Sequence, residues 1–265
     1  MRNALLAGLL AVVCTSLVGT WVVLRGMAFF GDALAHGVLP GIAIAYTIGV
    51  STTLGAFLAA GAMVGLMHVI RSRSPLPEDT TIGILFAGFL SLAVVVMSRS
   101  GSYAGDLTNF LFGSITTIDN SDLIKQSLAA FIAVAGIAIF YRPLLVMTFD
   151  ETLAQLLGLR PKLTHAVLLT LLAIAVVASF ETIGNLLVVS FLIAPPAAAA
   201  LLIKRVPFIM IGSIVFGSIA VVLGLLVSYH FDTAPGATMS LFAVLTFVVA
   251  LLANSLTGAS LHRSV

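Results

Sequence analysis

Nine apolar runs divide the chain, near residues 4–24, 28–49, 53–70, 81–98, 123–141, 163–180, 184–203, 207–229 and 236–257, most of them joined by short connectors. About 20 helical residues, each rising 1.5 Å, cross the hydrocarbon core of a bilayer, and each run is close to that length. The pattern predicts an all-α polytopic membrane protein: one transmembrane domain over residues 1–265, a single bundle of eight or nine transmembrane helices. The first run, preceded by Arg2, has the charge and length of a secretory signal. No small-residue cleavage site follows it, so it is expected to remain as a span.

The polar positions supply the orientation. Arg71 and Arg73, then Arg142, Arg160 and Lys162, then Lys204 and Arg205, then Arg263 fall on one side if there are nine spans. Lysine and arginine favour cytoplasmic connectors, which puts the N-terminus outside and the C-terminus inside. Composition agrees with a membrane setting: 60% of the 265 residues are hydrophobic and 8% charged, which leaves no polar globular domain. A net charge of +2 spread over connectors builds no basic face, so nucleic acid is not an expected partner. The one cysteine, Cys14, lies inside the first run and is read as packing.

Two connectors exceed what a turn needs. Residues 105–113 on the outer side form a short amphipathic stretch that either seals the bundle at the interface or dips into the outer face. On the inner side, Thr148 and Glu151 have the spacing of a capping box, which predicts a helix over about 148–159. Leu153, Leu156 and Leu157 share one face of it, Gly158 suits the left-handed position after a helix, and Pro161 prevents continuation. Such a helix of about two turns either lies on the membrane surface or docks a partner. Small residues recur at packing spacing in the pairs Gly37/Gly41 and Gly61/Gly65.

Most acids sit at connectors, where water solvates them. Asp32 is the exception well inside a span, and an aspartate at bilayer depth costs on the order of 3 kcal/mol on insertion scales. Its expected neighbour is His36, one turn away on the same helix face. A carboxylate with an imidazole suits Zn²⁺, Mn²⁺ or Fe²⁺, and the lack of thiolates argues against Cu(I). The bland alternative is that both side chains only hydrogen-bond neighbouring helices. Pro40 leaves a backbone carbonyl without its helical donor, as cavity-lining helices tolerate. Glu181, before Gly184, is read as the start of a span at its outer end, where it either receives an ion or caps the helix. His68, His165 and His230 sit at helix ends and are read as solvated. Pro195–Pro196 marks either a break beside the path or a packing kink.

The enzyme signatures HExxH, GxSxG and the phosphate loop GxxxxGK[ST] are missing, so the chain is expected to transport and not to catalyse. An energised importer then needs a separate ATPase. An ion-coupled secondary transporter or channel would also use intramembrane acids, but would need no such partner.

The runs Leu24-Arg-Gly-Met27, Gly31-Asp-Ala-Leu-Ala-His-Gly-Val-Leu-Pro-Gly41, Glu78-Asp-Thr-Thr-Ile-Gly83, Phe110-Leu-Phe-Gly113, Phe149 to Leu159 and Thr182 to Pro196 together resemble the membrane permease subunits of bacterial ABC importers for manganese, zinc and sometimes iron. The resemblance spans nearly the whole chain. It implies a multi-pass subunit of the inner membrane, paired with a second copy, two cytoplasmic ATPase subunits and an extracytoplasmic metal-binding protein. It implies that Asp32 and His36 belong to the metal path, with Mn²⁺ or Zn²⁺ as transported ion and no permanently bound cofactor. It also implies that the stretch containing Phe149, Asp150, Glu151, Leu153, Leu156, Leu157 and Gly158 is the coupling helix that sits in a groove of the ATPase.

Overall fold

A computed structural model describes residues 2–98 and 118–258, with the side chains of 71, 72, 78, 181–183, 185–187, 257 and 258 outside the description. The amphipathic stretch at 105–113 therefore lies outside the described residues. The described residues form helices α1 (Arg2–Leu24), α2 (Ala28–Gly37), α3 (Leu39–Ile48), α4 (Thr52–Arg73), α5 (Glu78–Met97), α6 (Asn120–Phe149), α7 (Glu151–Leu156), α8 (Pro161–Ile183), α9 (Asn185–Leu202), α10 (Val206–Phe231) and α11 (Pro235–Gly258). Among them, eight segments are long and apolar enough to cross a membrane, the broken pair α2–α3 counting as one. Helix α9, with 18 residues, is also apolar but shorter than these eight.

Helix α1 is the central post, packed on α6, α8, α9 and α10. Small residues make that possible: Ala7, Ala11, Cys14, Thr15 and Ser16 are all buried on it, and Trp21 meets Tyr141 of α6 edge to face at 5.8 Å. Cys14 is fully buried, its thiol 3.8 Å from the Ala129 carbonyl, in keeping with a packing role. Hydroxyls in this core are satisfied locally. Thr15 and Thr20 donate to carbonyls one turn back, and Ser16 donates across to the Ser213 carbonyl of α10 at 3.2 Å.

Three boundaries differ from the sequence expectation. Helix α6 does not stop before Arg142; it runs through Pro143 to Phe149, and it starts in a capping box between Asp119 and Asp122. The inner short helix starts at Glu151, not at Thr148. Asp150 breaks the chain there with an extended backbone (φ −153°) and accepts from the Leu153 N–H at 2.8 Å, so Asp150 is the cap and Thr148 and Phe149 belong to α6. Its far end agrees with expectation: Gly158 has φ +70°, and the Gly158 and Leu159 N–H groups close onto Gln155 and Ala154 carbonyls. Pro195 and Pro196 do not break their helix, since α9 runs through both.

The two glycine pairs have different fates. Gly37 lies against Met63 of α4, and Gly41 meets Gly55 of the same helix backbone to backbone. Gly61 and Gly65 face open space among the described residues.

Candidate metal path and the family of the chain

Asp32 and His36 lie on α2, which is short because the span is interrupted at Val38. Pro40 sits in the first turn of α3 and has no N–H to give the carbonyl of His36, so the helix is re-initiated there. The interruption is slight: Val38 still donates to Leu34 at 3.2 Å, and Ile42 to Val38 at 3.1 Å. Helix α2 is enclosed by α1, α4, α5, α8 and α9. On its far side Gly31 leaves room for Leu192 of α9, fully buried, and Gly37 leaves room for Met63. These contacts press the backbone of α2 into the bundle and determine where its polar side chains emerge.

Nε2 of His36 stands 3.8 Å from Oδ1 of Asp32. That is beyond hydrogen-bond distance. Nδ1 of His36 is buried and has no hydrogen-bond partner among the described residues. The imidazole is held instead by an edge-to-face contact with Phe86 of α5, ring centroids 5.3 Å apart. The His36 side chain is 17% exposed and that of Asp32 41%, so the pair opens to one side of the protomer. Neither group bonds a neighbouring helix among the described residues.

The separation suits a shared cation. Two ligands bound at about 2.1 Å and at a tetrahedral angle stand about 3.4 Å apart, so a movement of about 0.4 Å would bring this pair into coordination. Two ligands do not complete a site, and no group of three or more His, Cys, Asp or Glu able to hold a metal occurs among the described residues. Phe86, Met63 and Leu192 position the pair but carry no sequence signal for it, since an apolar contact between distant helices leaves no mark in spacing.

Glu181 lies in the last turn of α8, not at the start of a span. Its side chain lies outside the description. At the other end of the bundle, Phe149 at the end of α6 (69% exposed), Leu153 and Leu156 (81%) of α7, and Leu157 just after it are exposed, while Ala154 is buried. Asp150, Glu151 and Gly158 shape that turn as cap, first-turn acid and left-handed exit.

The structure is thus a polytopic bundle of apolar helices that carries a carboxylate–imidazole pair on α2. Residues 1–254 match the family model described as the ABC 3 transport family, and the chain belongs to that family. It is 34% identical over 255 residues to the manganese transport system membrane protein MntC of Listeria monocytogenes, covering 95% of this chain and 90% of that one. It is 33% identical over 249 residues to the manganese import system permease protein ScaB of Streptococcus gordonii, covering 94% and 89%. Among solved structures, PsaBC from Streptococcus pneumoniae in complex with Fab superposes with a TM-score of 0.85 at 32% identity, over 94% of this chain and 90% of that one. The chain is thus a multi-pass bacterial membrane protein and a permease subunit, not an enzyme.

Proposed function

We propose that the chain forms half of the ion path of an ATP-driven importer of divalent transition-metal ions, with Asp32 and His36 as the ligands that pass the ion across the bilayer. The observation that carries this reading is the 3.8 Å gap between two polar groups that no neighbouring helix satisfies. A desolvated dication needs charge compensation, which one carboxylate supplies only in part. A second copy related by a twofold axis would bring another Asp32 and His36 to the first, giving two carboxylates and two imidazoles. Four such ligands hold Zn²⁺ tetrahedrally, or Mn²⁺ with added water. The manganese named for the relatives favours Mn²⁺ as the ion.

Energy would enter through α7. Its exposed Leu156, with Leu157 after it and Phe149 at the end of α6 before it, suits insertion into an apolar groove of a cytoplasmic ATPase, and an extracytoplasmic binding protein would deliver the ion at the opposite face. The test is reconstitution of the permease with its ATPase and binding protein in liposomes. Uptake of manganese that requires ATP and the ATPase supports the reading. Uptake by the permease alone, driven by an ion gradient, would make it a secondary transporter.

A further inference from the structure

The basic end of the bundle holds a cavity of about 410 Å³ whose lining does not include Asp32 or His36. Its walls are Arg25 from the α1–α2 connection, His68 near the end of α4, Lys162 and His165 at the start of α8, and Glu151 at the start of α7. Its volume is in the range of small-molecule sites, which begin at about 300 Å³. Two permanent cations and two imidazoles face a single carboxylate. Read one by one, His68 and His165 are solvated residues at helix ends; the fold brings them to one wall.

The backbone adds to this field. Helix α8 is 23 residues long and its N-terminus has no side-chain cap. Pro161 has no N–H, and the Leu163 and Thr164 N–H groups turn back to the Arg160 carbonyl. The N–H of Lys162 is left without a helical acceptor at the positive end of the dipole. A dication is the wrong occupant: Arg25 and Lys162 repel it, and the lining supplies no set of three metal ligands. An anion with several acceptor oxygens is the right one, because guanidinium, ammonium and a helix N-terminus all favour phosphate.

We propose that this cavity binds a phosphate group, either the headgroup of an anionic phospholipid or a phosphate species from the cytoplasm. Basic pockets between membrane helices on the cytoplasmic side take anionic headgroups, and the positive-inside pattern puts this end in the cytoplasm. The occupant would bridge the start of α8 and the α1–α2 connection, against the repulsion of the Glu151 carboxylate on the same wall, and so stiffen the base from which the short helix projects.

The test is thermal unfolding of the full chain in a neutral detergent, titrated with inorganic phosphate, phosphatidylglycerol or phosphatidylcholine at constant ionic strength. The site predicts a saturable rise in Tm with phosphate or with phosphatidylglycerol, and none with phosphatidylcholine. Saturation by inorganic phosphate identifies a free phosphate as sufficient, whereas saturation by phosphatidylglycerol alone identifies the lipid. Both wall residues His68 and Lys162 are exposed, so the double variant His68→Gln/Lys162→Gln should fold and bind about tenfold or more weakly, while Glu151→Gln should bind more tightly. No saturable shift with either anion, or the same shift in the double variant, overturns the proposal.

Discussion

Gly41 and Gly55 touch backbone to backbone: a Cβ on Gly41 would collide with the Gly55 carbonyl oxygen, and a Cβ on Gly55 with that of Gly41. This reciprocal contact clamps α3 onto α4 just beyond the break that follows His36. Overpacking a tight site costs typically about 1–3 kcal/mol, so Gly41→Ala should lower the Tm of the purified permease clearly. Gly61→Ala, in the same helix α4 but facing open space, should be neutral or stabilising by up to about 1 kcal/mol. Equal losses in the two variants would mean that Gly61 packs against something beyond the protomer.

Phe86 packs edge to face against His36, so it should set the imidazole's direction. Contacts of this type contribute about 0.5–1.5 kcal/mol. Phe86→Leu keeps an apolar side chain and should raise the metal concentration for half-maximal uptake by about two- to tenfold, at unchanged membrane abundance. An unchanged half-maximal concentration would show that the ring only fills space.

At the base of the bundle, Phe149 and Asp150 make separable contributions. Phe149→Asp should leave the bundle intact, because the side chain is exposed, yet abolish ATP-driven uptake by spoiling the docking surface. Asp150→Ala removes the N-cap bond to Leu153 and should cost about 1 kcal/mol of local helix stability, giving partial loss. Normal coupled uptake by Phe149→Asp would remove α7 from the energy-coupling role.

Much of this architecture was legible in the chain. Most apolar runs match one helix each, although the run 28–49 is split at Val38 and the run 123–141 continues to Phe149, and the spacing of Asp32 and His36 placed them on one face. The stop at Gly158 was also readable, because a left-handed residue followed by Pro161 has few structural meanings. The start of α7 was not, since Thr148 and Asp150 are both good cap formers and the choice depends on where α6 lets go of the bundle. Arg142–Pro143 looks like the end of a span, yet a helix can continue beyond the hydrocarbon once its carbonyls reach water. The basic cavity was invisible for another reason: its five polar wall residues come from four separate parts of the chain.

Glu181 is expected to act on encounter and not on passage. Near the end of α8 a carboxylate raises the local concentration of cations without binding them tightly, an effect that salt screens within about 8 Å at physiological ionic strength. Glu181→Gln should therefore slow uptake severalfold at low metal and low salt, and have little effect at high salt. A salt-independent loss would indicate direct coordination instead.

The central claim is that Asp32 and His36 hold the ion in transit. Asp32→Asn preserves size and much of the hydrogen bonding but removes the negative charge that a desolvated dication requires, and His36→Ala removes a ligand and leaves Asp32 without its neighbour. Neither change disturbs the contacts of Gly31 or Gly37 that seat α2 in the bundle. The direct measurement is ATP-dependent manganese uptake by liposomes containing each variant with its ATPase and binding protein, at matched permease abundance. The account predicts loss of uptake in both variants with assembly of the complex retained; wild-type rates in either would contradict it.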